Sequence, residues 1–332
     1  MEKAIAVVVS YNRQALLSEC ITALRNQTRA LDAILVVNNG STDNTELWLK
    51  DQKDITFITQ QNIGSGGGFN TGISWAFKNG YSWVWCMDDD GYPKNDALEN
   101  LLDAPLDNLH LRNCAVLNKE DKRSFVWKTG KFWNIDEVKT NLIPGAGHPF
   151  NGTLIHRSII ERVGLPRKEL FLWGDESEYY QRITAKNKIP VTTVANSVHY
   201  HPASAFTYKN DWDFSTNWKM YYYVRNRFHT HKTMVNSGIG AVAKYAFFLA
   251  AMVGVILFYQ KTDRLKKINF ILWPAKDAFT NNFNYTPATI LTRLTTPQKS
   301  IIWQTPFLYL KYITGNITQI FTSPTARSTA NA

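Results

Sequence analysis

The chain has 332 residues, 44% of them hydrophobic and 13% aromatic, a composition that argues against a disordered polypeptide. Its formal net charge of +10 points to an anionic partner: nucleic acid, a phosphorylated substrate or acidic lipid. Three cysteines, Cys20, Cys86 and Cys114, with no CxxC pair, argue against a disulfide framework or a cysteine-based zinc site and fit a reducing compartment.

The first third alternates strand-like and helix-like segments. AIAVVVS (4–10) is a continuous apolar run, the pattern of a strand buried on both faces. It is short and lacks a small-residue cleavage site, so it reads as a first strand and not as a signal peptide. RQALLSECITALRNQ (13–27) sets Leu16, Leu17, Cys20, Ile21 and Leu24 at helical spacing. AILVVNNG (33–40) is a second buried strand, and STDNTELWLKDQ (41–52) opens with a capping signal before a helix. DITFITQQN (54–62) reads as a third strand, FNTGISWAFKNG (69–80) as a helix closed by Gly80, and YSWVWCM (81–87) as a fourth strand. Repeated strand–helix units predict a parallel sheet with helices on both faces, whose ligands bind beyond the carboxyl ends of the strands.

The polar segments fall at those ends: SYNR (10–13), NNGSTDN (38–44), QNIGSGGGFNTG (61–72) and DDDGYP (88–93). From about 145 onward the pattern is α+β. Beyond 210, WKMYYYVRNRFHTHK (218–232) is aromatic and basic, and YAFFLAAMVGVILFY (245–259) carries no charge. At about 15 residues, that run is shorter than the ~20 a spanning helix needs. The expectation for 211–320 is a helical region whose apolar faces pack together or lie in a membrane interface, with a disordered tail at 321–332.

Five sites carry chemistry. Asp88 and Asp90, two apart in extended backbone, face one side while Asp89 points away, a pattern suited to a hard divalent cation. On the motif alone a solvated acidic turn and an ion site are equally good readings; its place after a buried strand on the polar rim favours the ion. The glycine run offers backbone N–H groups to phosphate, although it matches neither the Walker A pattern nor the dinucleotide fingerprint. In FLWGDESEYYQR, Asp175, Glu176 and Glu178 suit a helix start, while the adjacent Trp173 offers a sugar platform and a desolvating ring, which makes a general base a reasonable role there. His199 and His201 in SVHYHP share a face if extended, and either completes a metal site with Asp90. The basic aromatic segment is compatible with single-stranded nucleic acid, but no recognition-module signature accompanies it.

In this order VVVSYNR, VVNNGSTD, NIGSGGGFNTG, MDDDGYP, NGTLIHR, WGDESEYYQR and SVHYHP resemble the nucleotide-sugar glycosyltransferases of the GT-A fold, glycosyltransferase family 2, across roughly residues 4–202. The glycine run, triple aspartate, WGDE segment and YYYVRNR look most like bacterial galactofuranosyltransferases, with rhamnosyltransferases close behind. The resemblance implies an α/β, Rossmann-like, mostly parallel sheet domain over 1–210 and a UDP-type donor such as UDP-galactofuranose, or dTDP-rhamnose for a rhamnosyltransferase. It also implies Mn2+ or Mg2+ and an inverting displacement. By position, Tyr11, Asn12, Arg13, Asn38 and Asp43 would hold the nucleotide. Asn62, Gly66 and Gly67 would line the donor site, which Asp88 and Asp89 border.

Asp88 and Asp90 would bind the metal as the DXD motif, with His201 first and His199 second as the histidine ligand. The base falls on Asp175 or Glu176, where many relatives have two aspartates, and Trp173 faces the acceptor. Asn38 stands where relatives often have an acidic residue. The implied acceptor is a lipid-linked glycan or polysaccharide of the O-antigen type. The chain would then work peripherally at an anionic membrane surface, on the cytoplasmic face of a bacterial inner membrane, without nucleic acid.

Overall fold

The computed structural model describes residues 2–203, 211–213, 217–235 and 237–295. The chain divides into two compact units, Met1–Phe171 with Asp175–Ala205, and Leu172–Gly174 with Phe206–Ala332. The expected tail at 321–332, and 296–320 of the expected helical region, lie outside the described residues.

In the first unit, β1 (Ala4–Ser10) is buried throughout and sits at the centre of a sheet. It pairs in parallel with β2 (Ala33–Asn38) on one side and β4 (Trp83–Asp88) on the other, and β3 (Ile55–Thr59) pairs in parallel with β2. Side chains of β1 alternate between two cores. Ala4, Ala6 and Val8 pack with Leu17, Cys20, Ile21 and Leu24 of α1 (Gln14–Arg25). Ile5, Val7 and Val9 pack with Phe69, Ile73 and Ala76 of α3 (Gly64–Lys78). This two-sided burial is why the strand reads as an unbroken apolar run. A short helix, α2 (Thr45–Lys50), joins β2 to β3.

Register fixes where these strands end. Ser10 lies opposite Asn38, Asn38 opposite Thr59, and Val9 opposite Asp88, so four carboxyl ends share one edge. After the acidic turn, β5 (Tyr92–Pro93) leads into α4 (Ala97–Leu102) and β6 (Leu111–Asn118). The strands β7 (Ser124–Thr129), β8 (Phe132–Asn134) and β9 (Leu142–Pro144) flank β6 and the last strand. β10 (Asn151–His156) runs antiparallel between β4 and β6, followed by α5 (Arg157–Val163) and α6 (Asp175–Gln181). The last strand, β11 (Val191–His201), is parallel to β6 and antiparallel to β5, pairing His199 with Pro93 and Tyr200 with Tyr92. The sheet is therefore mostly parallel on one side and mixed on the other.

One boundary differs from expectation for a packing reason. The third strand ends at Thr59, and the glycines placed ahead of the helix expected at 69–80 form the first turns of α3, which begins at Gly64. Glycine is a poor helix former in isolation, but here its missing side chain lets α3 close onto β1. A Cβ on Gly68 would stand 2.5 Å from Val9 Cγ1, and one on Gly72 would collide with Val7 Cγ1. Gly68→Ala is accordingly expected to destabilise the first unit by about 1–3 kcal/mol, read as a lowered thermal midpoint.

The second unit is helical, with α7 (Met220–Met234), α8 (Gly238–Tyr259), α9 (Arg264–Thr280) and α10 (Pro287–Thr295). The basic aromatic segment, expected as a binding surface, supplies much of its interior. Tyr221, Tyr222, Val224, Arg225 and Asn226 of α7 are fully buried. Tyr221 donates to Asp277 Oδ2 at 2.7 Å, Tyr222 to the Tyr285 carbonyl at 2.9 Å, and Tyr245 to the Val224 carbonyl at 2.9 Å. The Arg225 guanidinium lies over the rings of Tyr221, Tyr222 and Phe283. Charge and aromaticity are interleaved because they alternate around a helix, so the arginine is satisfied by rings within the core. The apolar run also belongs to a longer element than expected. It lies in α8, a helix of 22 residues, long and apolar enough by length and composition to cross a bilayer.

Candidate active site

The edge where β1, β2, β3 and β4 end is built on hydrogen bonds between chain segments far apart in sequence. Asn12, at a φ of +54°, accepts from the Thr42 amide at 2.6 Å, and its own amide donates to Ser41 Oγ at 3.0 Å. Asn38 accepts from the Ser41 amide at 3.1 Å, and Asp43 takes the amides of Gln14 at 3.3 Å and Thr45 at 3.0 Å. Asn62 accepts the Gly64 amide at 3.0 Å. The hub is Asn39, which sequence reasoning passed over. It donates to the Gly64 carbonyl at 2.9 Å and accepts from Gln60 Nε2 at 2.9 Å, tying the end of β2 to the start of α3. Tyr11 is 45% exposed beside this network.

Gly66 and Gly67 are buried in the first turn of α3. A Cβ on Gly66 would meet Asp175 Cβ at 3.0 Å, and one on Gly67 would meet the Ile63 side chain. Gly64, at a φ of +77°, lies against the Phe171 carbonyl with no room for a side chain. Gly64 and Gly66 thus admit Phe171 and Asp175 to close approach.

The acidic triplet is withdrawn from bulk solvent. Asp89 is 3% exposed and accepts from Ser10 Oγ at 2.7 Å, another residue that sequence reasoning missed, and from Arg13 Nη1 at 3.2 Å. The same Nη1 reaches Asp90 Oδ2 at 2.7 Å. Extended alternation would have paired Asp88 with Asp90; because β4 stops at Asp88, the turn instead brings Asp89 and Asp90 to one guanidinium. Burial pushes Asp89 up to about 6 although Arg13 and Ser10 oppose it. Asp88 is raised well above the carboxylate range by burial and by Asp90 and Asp89, with Arg13 opposing and Glu176 adding to the rise. Asp90 is also pushed up by burial, but His201 and Arg13 outweigh this and hold it down to about 2.

Because the folded state favours the protonated form of Asp89, its contribution to stability is present at low pH and is lost as pH rises through about 6. Arg13→Ala removes the charge that limits this loss. It is expected to cost about 1 kcal/mol at pH 8, since the guanidinium is partly exposed and screened, and somewhat less at pH 5, where Asp89 is protonated but Asp90 still pairs with the arginine, measured by denaturant titration at the two pH values.

His201 and Asp90 meet. β5 pairs with β11 immediately after the turn, and this brings His201 Nε2 to 3.3 Å from Asp90 Oδ1. His201 Nδ1 lies 2.7 Å from the Pro202 carbonyl, which can only accept, so Nδ1 carries a proton. In the neutral ring Nε2 therefore presents a lone pair to a carboxylate oxygen that is buried without a hydrogen-bond partner. Such a pair of acceptors is favourable only with a cation between or a proton on the ring. Neighbouring ligands of an octahedral ion with bonds of about 2.1 Å lie about 3 Å apart, so the spacing fits Mg2+ or Mn2+. Among the described residues no group of three His, Cys, Asp or Glu side chains forms a ready metal centre. Mg2+-type ions commonly take one or two carboxylates and complete their shell with substrate phosphate and water. His199 is placed differently. It is fully buried, both ring nitrogens lack hydrogen bonds, its ring fills the space over Gly91, and burial lowers it to about 3.

Asp175 is fully buried at the start of α6, where Oδ2 accepts from Ser65 Oγ at 2.5 Å. Burial, then Glu176, push its pKa well up, and Ser65 opposes them. Ser65 is a third residue the sequence did not flag. Glu178, by contrast, is buried in an ion pair with Arg182 at 3.1 Å, and Arg182 also donates to the carbonyls of Val163 and Leu165, a structural tie. Trp173 belongs to the helical unit, at a φ of +53°. Asn226 Nδ2 donates to its carbonyl at 3.2 Å and to that of Leu172 at 2.9 Å, and Lys219 Nζ stands 5.8 Å from its ring.

A family model described as Glycosyl transferase family 2 matches residues 5–164. Galactofuranosyltransferase GlfT1 of Mycobacterium tuberculosis (strain H37Rv) is 30% identical over 222 residues, covering 63% of this chain and 73% of that protein. GlfT1 of Mycolicibacterium smegmatis is 30% identical over 226 residues, covering 63% and 74%. Among solved structures, S. aureus TarS 1–349 superposes with a TM-score of 0.52 at 12% identity, covering 96% of this chain and 91% of that one. GalNAc-T7, crystallised with UDP, GalNAc and Mn2+, gives 0.50 at 15% identity, covering 90% and 59%. At such identities the structural likeness establishes the fold.

Proposed function

The chain belongs to glycosyl transferase family 2 and is a glycosyltransferase of the GT-A fold, and from that premise we propose that it transfers galactofuranose from UDP-galactofuranose, with inversion, to a hydroxyl of a lipid-linked glycan. The sugar is supported by 30% identity to galactofuranosyltransferases. The chemistry is supported above all by one observation: Asp90 Oδ1 and His201 Nε2 converge at 3.3 Å on the edge where four parallel strands end. Asp88, beside them, lies within electrostatic reach of Glu176.

Asp90 and His201, with Asp88 beside them, would hold Mn2+ or Mg2+, which supplies positive charge to a departing diphosphate. Arg13 holds Asp89 and Asp90 in place, and the Asn12, Asn38, Asn39 and Asp43 network fixes the strand ends that meet the nucleotide. Two adjacent carboxyls in a buried position do not both ionise readily. Asp175, the more deeply buried, keeps the proton, and Glu176 is left as the base. Glu176 takes the proton from the acceptor hydroxyl, whose oxygen attacks the anomeric carbon. The bond to the diphosphate oxygen breaks on the opposite side, the electron pair leaves with UDP, and the configuration inverts. We place this reaction on the cytoplasmic face of a bacterial inner membrane, where an anionic lipid surface carries the acceptor.

The test is incubation with UDP-galactofuranose, UDP-galactose, UDP-glucose and dTDP-rhamnose in the presence of Mn2+, reading nucleoside diphosphate release by mass spectrometry. UDP from UDP-galactofuranose alone is expected. A soluble oligosaccharide acceptor is included; release of dTDP would replace the sugar assignment with rhamnose, and release from none would remove the galactofuranose assignment.

A further inference from the structure

Helix α8 has two unlike faces. Ala241, Val242, Tyr245, Leu249, Met252 and Ile256 are buried, and the rings of Phe228 and Phe279 pack on Tyr245. The opposite face runs through Ala243, Phe247, Ala250, Ala251, Leu257 and Phe258, all exposed, at helical spacing. Phe247 is 78% and Phe258 83% exposed. On a helix that faces water this stripe would be polar; here Lys244 is the only charged residue in the helix. Past its end stand Lys261, Arg264 and Lys266, all exposed, with Leu265 exposed among them at 74%. An apolar stripe ending in aromatics and then cations is complementary to acyl chains bordered by anionic headgroups.

We propose that α8 lies in the plane of a bilayer surface, with Phe247 and Phe258 in the acyl boundary and Lys261, Arg264 and Lys266 among anionic headgroups. This deepens the functional assignment, on whose lipid-linked acceptor it rests, by naming the surface that meets the lipid. Its length of 22 residues would also allow a span, but the buried face is packed against α7 and α9. A span would draw Arg227, His231 and Lys232 of α7 toward the hydrocarbon core, where ionisable side chains are strongly disfavoured. In-plane binding leaves them outside it.

The experiment uses the full chain and vesicles of phosphatidylcholine with and without phosphatidylglycerol. Wild type is expected to float with the anionic vesicles, and the double variant Phe247→Glu, Phe258→Glu to bind at least about tenfold more weakly. Both side chains are exposed, so the fold is retained. The native cysteines are all buried, so spin labels placed by Ala243→Cys, Ala250→Cys and Phe258→Cys report depth. Equal oxygen accessibility at the three is expected. Depth greatest at 250 with both ends shallow would mean a span and overturn the proposal. So would flotation that the double variant leaves unchanged, or failure of wild type to float. A self-association in solution that the double variant abolishes, without vesicle binding, would overturn it in favour of a second copy. UDP release from UDP-galactofuranose with a soluble oligosaccharide acceptor, in the same preparations, reports separately on the transferase assignment.

Discussion

Glu176→Gln is expected to lower kcat by about 10²–10⁴-fold while leaving the KM for the sugar nucleotide within about twofold, because a general base acts on the acceptor and not on donor binding. The substitution keeps the shape of the side chain and removes only its ability to take a proton. Its neighbour separates the two carboxyl roles. Asp175→Asn leaves a group that still accepts from Ser65, as Asp175 does at 2.5 Å, and is expected to cost less than Glu176→Gln. Initial rates with the donor varied at saturating acceptor make the comparison. Equal losses at both positions, or a loss carried by donor KM, would reassign the base. The pH dependence follows from the same pair. Asp175, held protonated by burial and by Glu176, is the member whose loss of a proton at higher pH would place a second charge beside the base, so Asp175→Asn is expected to remove any activity change that follows that ionisation.

The second large effect is at the acidic turn. Asp90→Asn is expected to lower kcat/KM by about 10²–10³-fold, a loss that added Mn2+ does not restore, because it removes a charge facing the diphosphate. The side chain is half-buried, and its partner Arg13 still has Asp89 at 3.2 Å. The thermal midpoint should therefore move little, which separates this loss from unfolding. His201→Ala should fall in the same direction. His199→Ala should differ in kind: it empties a fully buried site over Gly91 and is expected to lower stability.

What the sequence revealed depended on whether the signal was local. AIAVVVS could be read because a strand covered on both faces must be apolar at every position. The gathering of polar segments at one edge followed from parallel pairing alone. DDDGYP and SVHYHP were visible as separate motifs, and β5–β11 pairing is what joins Asp90 to His201. Other features had no local signal. Ser10, Asn39 and Ser65 are small polar residues whose meaning arises only when Asp89, Gly64 and Asp175 fold against them. The glycine run reads as lying ahead of the helix because its propensity says so, whereas the close approach of α3 to Val7 and Val9 is a tertiary fact. The aromatic, basic α7 looked like a surface because composition does not show which way an arginine turns. Arg225 turns inward onto three rings.

The central claim is that Asp90 and His201 grip a divalent ion together with the donor diphosphate. Electron paramagnetic resonance titration of Mn2+ with and without UDP tests it most directly, on wild type, Asp90→Asn and His201→Ala. Tighter Mn2+ binding by wild type when UDP is present is expected, with a loss of about tenfold or more in each variant. Mn2+ affinity that UDP does not change and neither substitution weakens would contradict it.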